Sequence, residues 1–318
     1  IGRIKMALPV TVYRWDDAGA PSIGTQKPSE IINILRKCLV DGYGSKSPLG
    51  WTVAFEDAPA NKIAFRKPTA HGDGYVQFWD VSTTDPNQGH VRFRAAASMT
   101  ALDSFTRPQI QMQFQLAANQ LYWMLIGTER GFWFFTHNSL TTPNGSTNNK
   151  VQFFIGDIDN FVANDPGRFV NIMYSTTTDM SSFNWVNDFT ASISPGSICV
   201  RIYDADGSDN KLNYQMDPRY LVGSNDLTGV PTVDRQFYKL VLQSSLGYSG
   251  SDRLGVNASI SEVAPFFRGE IPGLLNTPQG GYKNEPWPVI ETIAGEQCVL
   301  MPGYRYGRNW INMENWYG

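Results

Sequence analysis

The chain reads as a mainly β protein: an antiparallel β-sandwich or jelly-roll-like core with one N-terminal amphipathic helix and extended terminal arms. Three observations predict this. Short aromatic-rich segments alternate in character at every second position, as half-buried strands require. They include Trp51-Thr52-Val53-Ala54-Phe55, Lys62-Ile63-Ala64-Phe65-Arg66, Tyr75-Val76-Gln77-Phe78-Trp79, Val91-Arg92-Phe93-Arg94 and Ile198-Cys199-Val200-Arg201-Ile202-Tyr203. Turn chemistry separates the early ones, at Asp57-Ala58-Pro59-Ala60-Asn61, His71-Gly72-Asp73-Gly74 and Thr83-Thr84-Asp85-Pro86-Asn87-Gln88-Gly89. Only one stretch carries a strong helical period.

Residues 1–27 hold few apolar groups among Pro9, Asp16, Asp17, Gly19, Pro21 and Gly24, so they are expected to form an extended arm. The core then spans 28–265 and opens on a helix at about 29–41. Pro28 suits a first-turn position, and Ile31, Ile34, Leu35, Cys38 and Leu39 fall on one stripe. Arg36 and Lys37 complement the C-terminal dipole, and Gly42 is placed as the left-handed cap. Four or five strands follow from Trp51 to about Ala97. The dense apolar stretch from Leu121 to Phe135 is cut by Glu129-Arg130, which predicts a hairpin pairing 122–126 with 132–135 across Gly127-Thr128-Glu129-Arg130-Gly131. Val151-Gln152-Phe153-Phe154-Ile155 resumes the sheet after a polar loop at 141–149.

Residues 175–197 and 204–232 read as long excursions, of a length usually tied to function or interfaces. A late strand is expected at 237–242, and two short ones at 289–293 and 298–301. From 266 to 318 recurrent Pro and Gly predict an extended C-terminal segment that ends in Trp310, Trp316 and Tyr317.

The formal charge of -3, from 26 basic and 29 acidic residues, is too balanced for a grip on a phosphate backbone, so nucleic acid is not an expected partner. No apolar run suits a signal peptide or a membrane span. Met6 would itself make a start, which leaves open whether residues 1–5 are native. Charged residues are only 17% of the chain, against a usual ~25%, and aromatics reach 13%. Apolar and neutral groups must therefore cover much of the surface, which favours burial in an assembly. Cys38, Cys199 and Cys298 lack metal-ligand spacing and read as reduced, mostly buried thiols.

No catalytic, cofactor or metal constellation is expected. The run from Asp204 to Asn210 is rich in oxygen ligands, but its sixth and twelfth positions hold Asp209 and Gln215, so a solvated turn is expected instead of a calcium loop. Asp157 and Asp159 would share a face of an extended strand, yet no acid partner accompanies them. His71, His90 and His137 read as turn or surface histidines. Trp79, Trp133, Trp185 and Trp310 are the side chains a carbohydrate-binding module would need, although strand aromatics more often fill a core.

Several stretches together resemble a group of virion structural proteins of tailed bacteriophages and prophages. They are residues 8–21, opening Leu8-Pro9-Val10-Thr11-Val12-Tyr13-Arg14-Trp15, then residues 28–44, and Gly50-Trp51-Thr52-Val53-Ala54-Phe55. Phe154-Ile155-Gly156-Asp157-Ile158 is similar to the group's Phe-Gly-Asp-Ile segment, with Ile155 as an insertion, and residues 267–275 to its Arg-Gly-x-x-Pro-Gly-Leu stretch. The resemblance implies a virion location, many symmetric copies and other virion proteins as partners. On that view Val12, Tyr13, Trp15, Trp287, Trp310, Trp316 and Tyr317 are the candidate subunit contacts, carried by arms that clamp neighbours. A glycan-binding adhesin, meeting a host-surface glycan, is the alternative, and a polysaccharide-cleaving enzyme ranks behind both.

Overall fold

The computed structural model of the chain describes residues 7–81, 89–116, 121–138, 140, 151–173, 178–181, 198–216, 235–244, 262–277, 286–302 and 309–317. Three large antiparallel sheets and a two-stranded pairing account for the described strands. The N-terminal sheet runs Thr52–Asp57, Lys62–Arg66, Tyr75–Asp80, His90–Ala101 and Ser104–Pro108, with Met112–Gln115 also paired to His90–Ala101. The middle sheet runs Phe169–Ile172, Gln152–Asp157, Gly131–His137, Tyr122–Thr128 and Thr11–Arg14. The C-terminal sheet runs Ile198–Tyr203, Lys211–Met216, Tyr238–Ser244, Phe267–Asn276, Asn309–Asn312, Glu296–Leu300 and Ile290–Ile293, with Asp159–Asn160 paired to Phe267–Asn276.

The middle sheet is covered on both faces. Trp123, Leu125, Phe132, Phe134, Phe153 and Ile155 pack with the N-terminal sheet and the helix, while Met124, Ile126, Trp133, Phe135 and Phe154 pack with the C-terminal sheet. Successive side chains of a strand point to opposite faces, so a strand buried on both sides must be apolar at every position. That is why 122–126 and 132–135 are unbroken apolar runs rather than alternating ones. The predicted hairpin is present, with Gly131 opposite Thr128 and only Glu129 and Arg130 at its tip. The mainly β, sandwich-like packing expected from the sequence is present, with its sheets stacked in three layers. Most neighbours in the N-terminal and middle sheets are also neighbours in sequence, so the described strands follow meander order rather than jelly-roll order. The short turns at 58–61, 102–103 and 129–130 impose this locally, since a two- to five-residue loop joins adjacent antiparallel strands.

The helix is α from Pro28 to Arg36 and widens into a π turn at Lys37–Asp41. Ile31, Ile34, Leu35, Cys38 and Leu39 are all fully buried, as the stripe requires. Gly42 closes the π turn by donating its N–H to the Lys37 carbonyl at 2.8 Å. Its φ of 77° and ψ of 173° suit glycine alone, and a Cβ there would lie 2.6 Å from the Lys46 carbonyl oxygen. At the other end the Glu30 carboxylate accepts from Gly24 N at 3.0 Å, Thr25 N at 2.9 Å, Thr25 Oγ1 at 3.0 Å and Lys27 N at 3.2 Å. It caps the helix and gathers the incoming chain at once. Glu30→Ala is expected to lower unfolding free energy by about 1–2 kcal/mol. An unchanged urea midpoint would show that these bonds merely replace water.

The termini are not free arms. Within residues 1–27, Thr11–Arg14 is the edge strand of the middle sheet, and Leu8–Pro9 pairs with Asn315–Trp316. Within 266–318, Phe267–Asn276 and Asn309–Asn312 lie inside the C-terminal sheet. The physical reason is backbone satisfaction together with aromatic burial. Tyr13 is fully buried and donates to the Ser47 carbonyl at 2.6 Å, and Trp316 donates to the Asn312 carbonyl at 2.8 Å. Trp15 stacks on Trp287 at 4.7 Å, and Trp287 on His137 at 5.1 Å, so one aromatic pile joins an N-terminal strand, the middle sheet and the C-terminal segment. Trp310 is fully buried, Tyr317 nearly so, and Val12 packs partly buried on the same core. Of the seven residues expected to meet neighbouring subunits, Tyr13, Trp287, Trp310, Trp316 and Tyr317 are buried in the chain's own packing, and Val12 and Trp15 are partly exposed.

Candidate functional site

At one end of the stack the three layers converge on a charged cluster. Asp157 ends a middle-sheet strand and, like Ile155 and Phe153 two and four positions earlier, faces the N-terminal sheet. Lys67, just past the strand Lys62–Arg66, meets it with Nζ at 2.5 Å from Asp157 Oδ1, and both side chains are fully buried. Arg130 at the hairpin tip and Arg168 ahead of Phe169–Ile172 bring their Nε atoms to Asp157 Oδ2 at 3.3 and 3.1 Å. Tyr317 closes the back, its ring 3.9 Å from the Arg130 guanidinium carbon and its hydroxyl donating to the Asp157 carbonyl at 2.8 Å.

The short turn Thr69–His71 supplies a carbonyl that accepts from Lys67 Nζ at 2.9 Å and from Arg168 Nη2 at 2.5 Å. Gly72 follows with φ 79°, and a Cβ there would sit 2.6 Å from Arg168 Nη2, so only glycine admits the arginine. His71 Nε2 lies 2.6 Å from Glu129 Oε1 at the rim. A cleft of about 640 Å³ opens beside the cluster, between His71, Arg130, Asn160, Phe161, Asn164 and Arg168.

Burial pulls the Lys67 ammonium down to about 8, with the two arginines adding to the shift and Asp157 opposing it. Above pH 8 the unfolded chain, whose lysine holds its proton to about 10.5, binds more protons at this site than the folded one. Stability carried by Lys67 therefore rises with pH between about 8 and 10.5 and is constant below that window. The difference in unfolding free energy between the native chain and Lys67→Met should grow in favour of the native chain by up to about 1.4 kcal/mol per pH unit there. Urea titrations at pH 7 and 9.5 measure it, and a flat difference would reject the shifted lysine.

Both Asp157 oxygens are held by cations, Oδ1 by Lys67 and Oδ2 by Arg130 and Arg168, so the carboxylate is engaged within the cluster. Asp159 lies elsewhere, in a separate hollow of about 350 Å³ lined also by Glu270 and Trp316. The two acids flagged as neighbours in sequence do not form a catalytic pair, because the strand breaks between them and Asp159 joins the C-terminal sheet.

The other expectations fall out as follows. Asp204 to Asn210 is a tight turn tied by its own bonds, with Ser208 N donating to Asp206 Oδ1 at 2.8 Å and Ser208 Oγ to Asp204 Oδ2 at 3.3 Å. His137 is fully buried in a strand, not at a turn. Of the tryptophans considered for sugar stacking, Trp133 and Trp310 are fully buried, Trp79 is half-buried, and Trp185 lies outside the described residues. Loop 141–149 and most of 175–197 and 217–232 lie outside them too. Cys38 and Cys298 are buried free thiols, and burial pushes Cys298 up to about 12.

Lys67, Arg130, Arg168 and Phe161 were not singled out from the sequence. Their only trace there is a charged pair interrupting an apolar hairpin, because the cations that meet Asp157 lie up to 90 positions from it along the chain. Chemically the cluster is a fixed positive field with an exposed aromatic, Phe161, on its rim. The chain matches no protein-family model, and no curated protein is significantly similar to it.

Proposed function

We propose that the chain is a non-catalytic structural component of a tailed-phage virion, at a neck, collar, tail or capsid-decorating station, present in several copies. The observation that carries this reading is where the segments resembling virion proteins fall. Residues 8–21 contribute two sheet strands, 28–44 the buried helix, 50–55 a strand of the N-terminal sheet, 154–158 the end of a middle strand, and 267–275 a strand inside the C-terminal sheet. All five are framework, the part of a molecule that a load-bearing block has to keep.

With the described terminal strands inside the sheets, contacts between copies fall to outer surfaces of the described residues. The described apolar ones include Phe266 and Phe267, edge to face at 4.8 Å and 37% and 52% exposed, and the edge strand Ile290–Ile293 with Ile290 facing solvent.

Light scattering on the intact 35.5 kDa chain tests the reading. A mass that is a whole multiple of the chain, reduced by Phe266→Ser with Phe267→Ser, is the expected result. A monomer at every concentration that also fails to co-sediment with phage particles would sink it. Deleting residues 266–318 is no test, since it removes strands from inside the C-terminal sheet and would unfold the chain.

A further inference from the structure

Lys67, Arg130 and Arg168 surround one carboxylate, an excess of positive charge in a chain whose formal net charge is -3. In two of these cations every side-chain nitrogen is bonded within the chain. Lys67 Nζ is shared between Asp157 and the His71 carbonyl, and Arg168 uses Nε on Asp157, Nη1 on the Asp165 carbonyl at 3.0 Å and Nη2 on the His71 carbonyl. Arg130 differs. Only its Nε is bonded, and its plane is held against the Tyr317 ring, so its orientation is set before any ligand arrives. Its two Nη groups have no hydrogen-bond partner among the described residues, and the side chain lies on the cleft wall, 21% exposed.

We propose that this cleft binds the carboxylate of an acidic sugar, of uronic or sialic type, on the Arg130 Nη groups, with the apolar face of the sugar ring against Phe161. A pair of coplanar guanidinium N–H groups matches the spacing of carboxylate oxygens, which gives direction as well as charge. Phe161 is 53% exposed beside the same cleft and is the most exposed large apolar side chain described. Sugar rings carry apolar C–H faces that such a ring covers, and the Asn164 amide on the wall supplies bonding for hydroxyls. The cleft volume of about 640 Å³ lies within the range of small-ligand sites. A phosphate dianion fits less well. It would need more unspent donors than one arginine offers, and Glu129, paired with His71 at the rim, repels a second charge. The inference goes beyond the virion reading and does not depend on it.

Ligand-observed NMR titration of the intact chain with sodium glucuronate and N-acetylneuraminate tests the site, with glucose as neutral analogue and inorganic phosphate as the competing anion. At least one acidic sugar should bind saturably and about tenfold or more tighter than glucose, and tighter than phosphate. Arg130→Met should weaken it by about tenfold or more, and Phe161→Ala by about threefold or more. Phe161 is exposed, so its variant stays folded even if loss of Arg130 disturbs the cluster, and thermal melting of both variants checks this. Saturable binding of neither acidic sugar, equal affinity for glucose, phosphate binding as tight as the sugars, or binding unchanged in a folded Arg130→Met would each overturn the proposal. Light scattering is indifferent to all of these outcomes, so the two readings fail separately.

Discussion

Phe153→Ala is expected to lower unfolding free energy by about 3–5 kcal/mol, the largest loss of any single aromatic truncation in the middle sheet. Phe153 is fully buried, and five rings surround it: Phe93 at 4.7 Å, Phe134 at 5.2 Å, Phe114 at 5.8 Å, Phe78 at 6.0 Å and Phe132 at 6.3 Å between centroids. Truncation removes its transfer energy and leaves a cavity whose walls are rigid rings on two different sheets. Neither sheet can move to fill it without breaking its ladder. Aromatic pairs add about 0.5–1.5 kcal/mol each beyond area, so the loss should sit at the upper end of the range. The urea midpoint should fall with little change in slope, and Phe161→Ala should stay within about 0.5 kcal/mol of the native chain. A Phe153→Ala loss under about 1 kcal/mol would mean the two sheets do not pack as described.

A second large effect is expected at Asp165. Its carboxylate holds Arg268 in two bonds, Nε to Oδ2 at 2.6 Å and Nη2 to Oδ1 at 2.7 Å, and both side chains are fully buried. Arg268 also donates to the Tyr203 carbonyl at 2.6 Å, and Asp165 Oδ1 accepts from Gly167 N at 2.8 Å. This pair fastens the segment before Phe169–Ile172 to the central strand Phe267–Asn276, across two sheets. Asp165→Ala would leave a guanidinium buried without its counter-charge, a loss of about 3–5 kcal/mol. The double variant with Arg268→Met should recover much of that loss, since an apolar replacement of a whole buried pair is often close to neutral. Additive losses in the two variants would argue that the pair is not buried as a unit.

The candidate site was less legible than the fold, for a reason visible in its residues. Asp157 stood out only as one of two nearby acids, and the other, Asp159, faces another hollow. Its true partners, Lys67, Arg130 and Arg168, come from a strand end, a hairpin tip and a loop. Each is an ordinary charged residue by local pattern. Ion pairing at such distances along the chain is decided by which strand ends the sheets bring together, and no short window of sequence encodes that.

By itself the sequence determined the period-2 strands from Trp51 to Ala97, the hairpin at Glu129-Arg130 and the apolar stripe from Ile31 to Leu39. Each is written in side-chain spacing over a few residues, where the geometry of a strand or helix turn leaves little choice. Only the tertiary structure decided that the middle sheet has two covered faces, that Thr11–Arg14, Phe267–Asn276 and Asn309–Asn312 are strands within sheets rather than parts of arms, and that Tyr13, Trp287, Trp310, Trp316 and Tyr317 are interior. Proline and glycine made the terminal segments look extended, and the strands described within them are extended. Whether an extended segment is an arm or a strand depends on a partner edge, outside any short window of sequence, that supplies its hydrogen bonds and covers its aromatics.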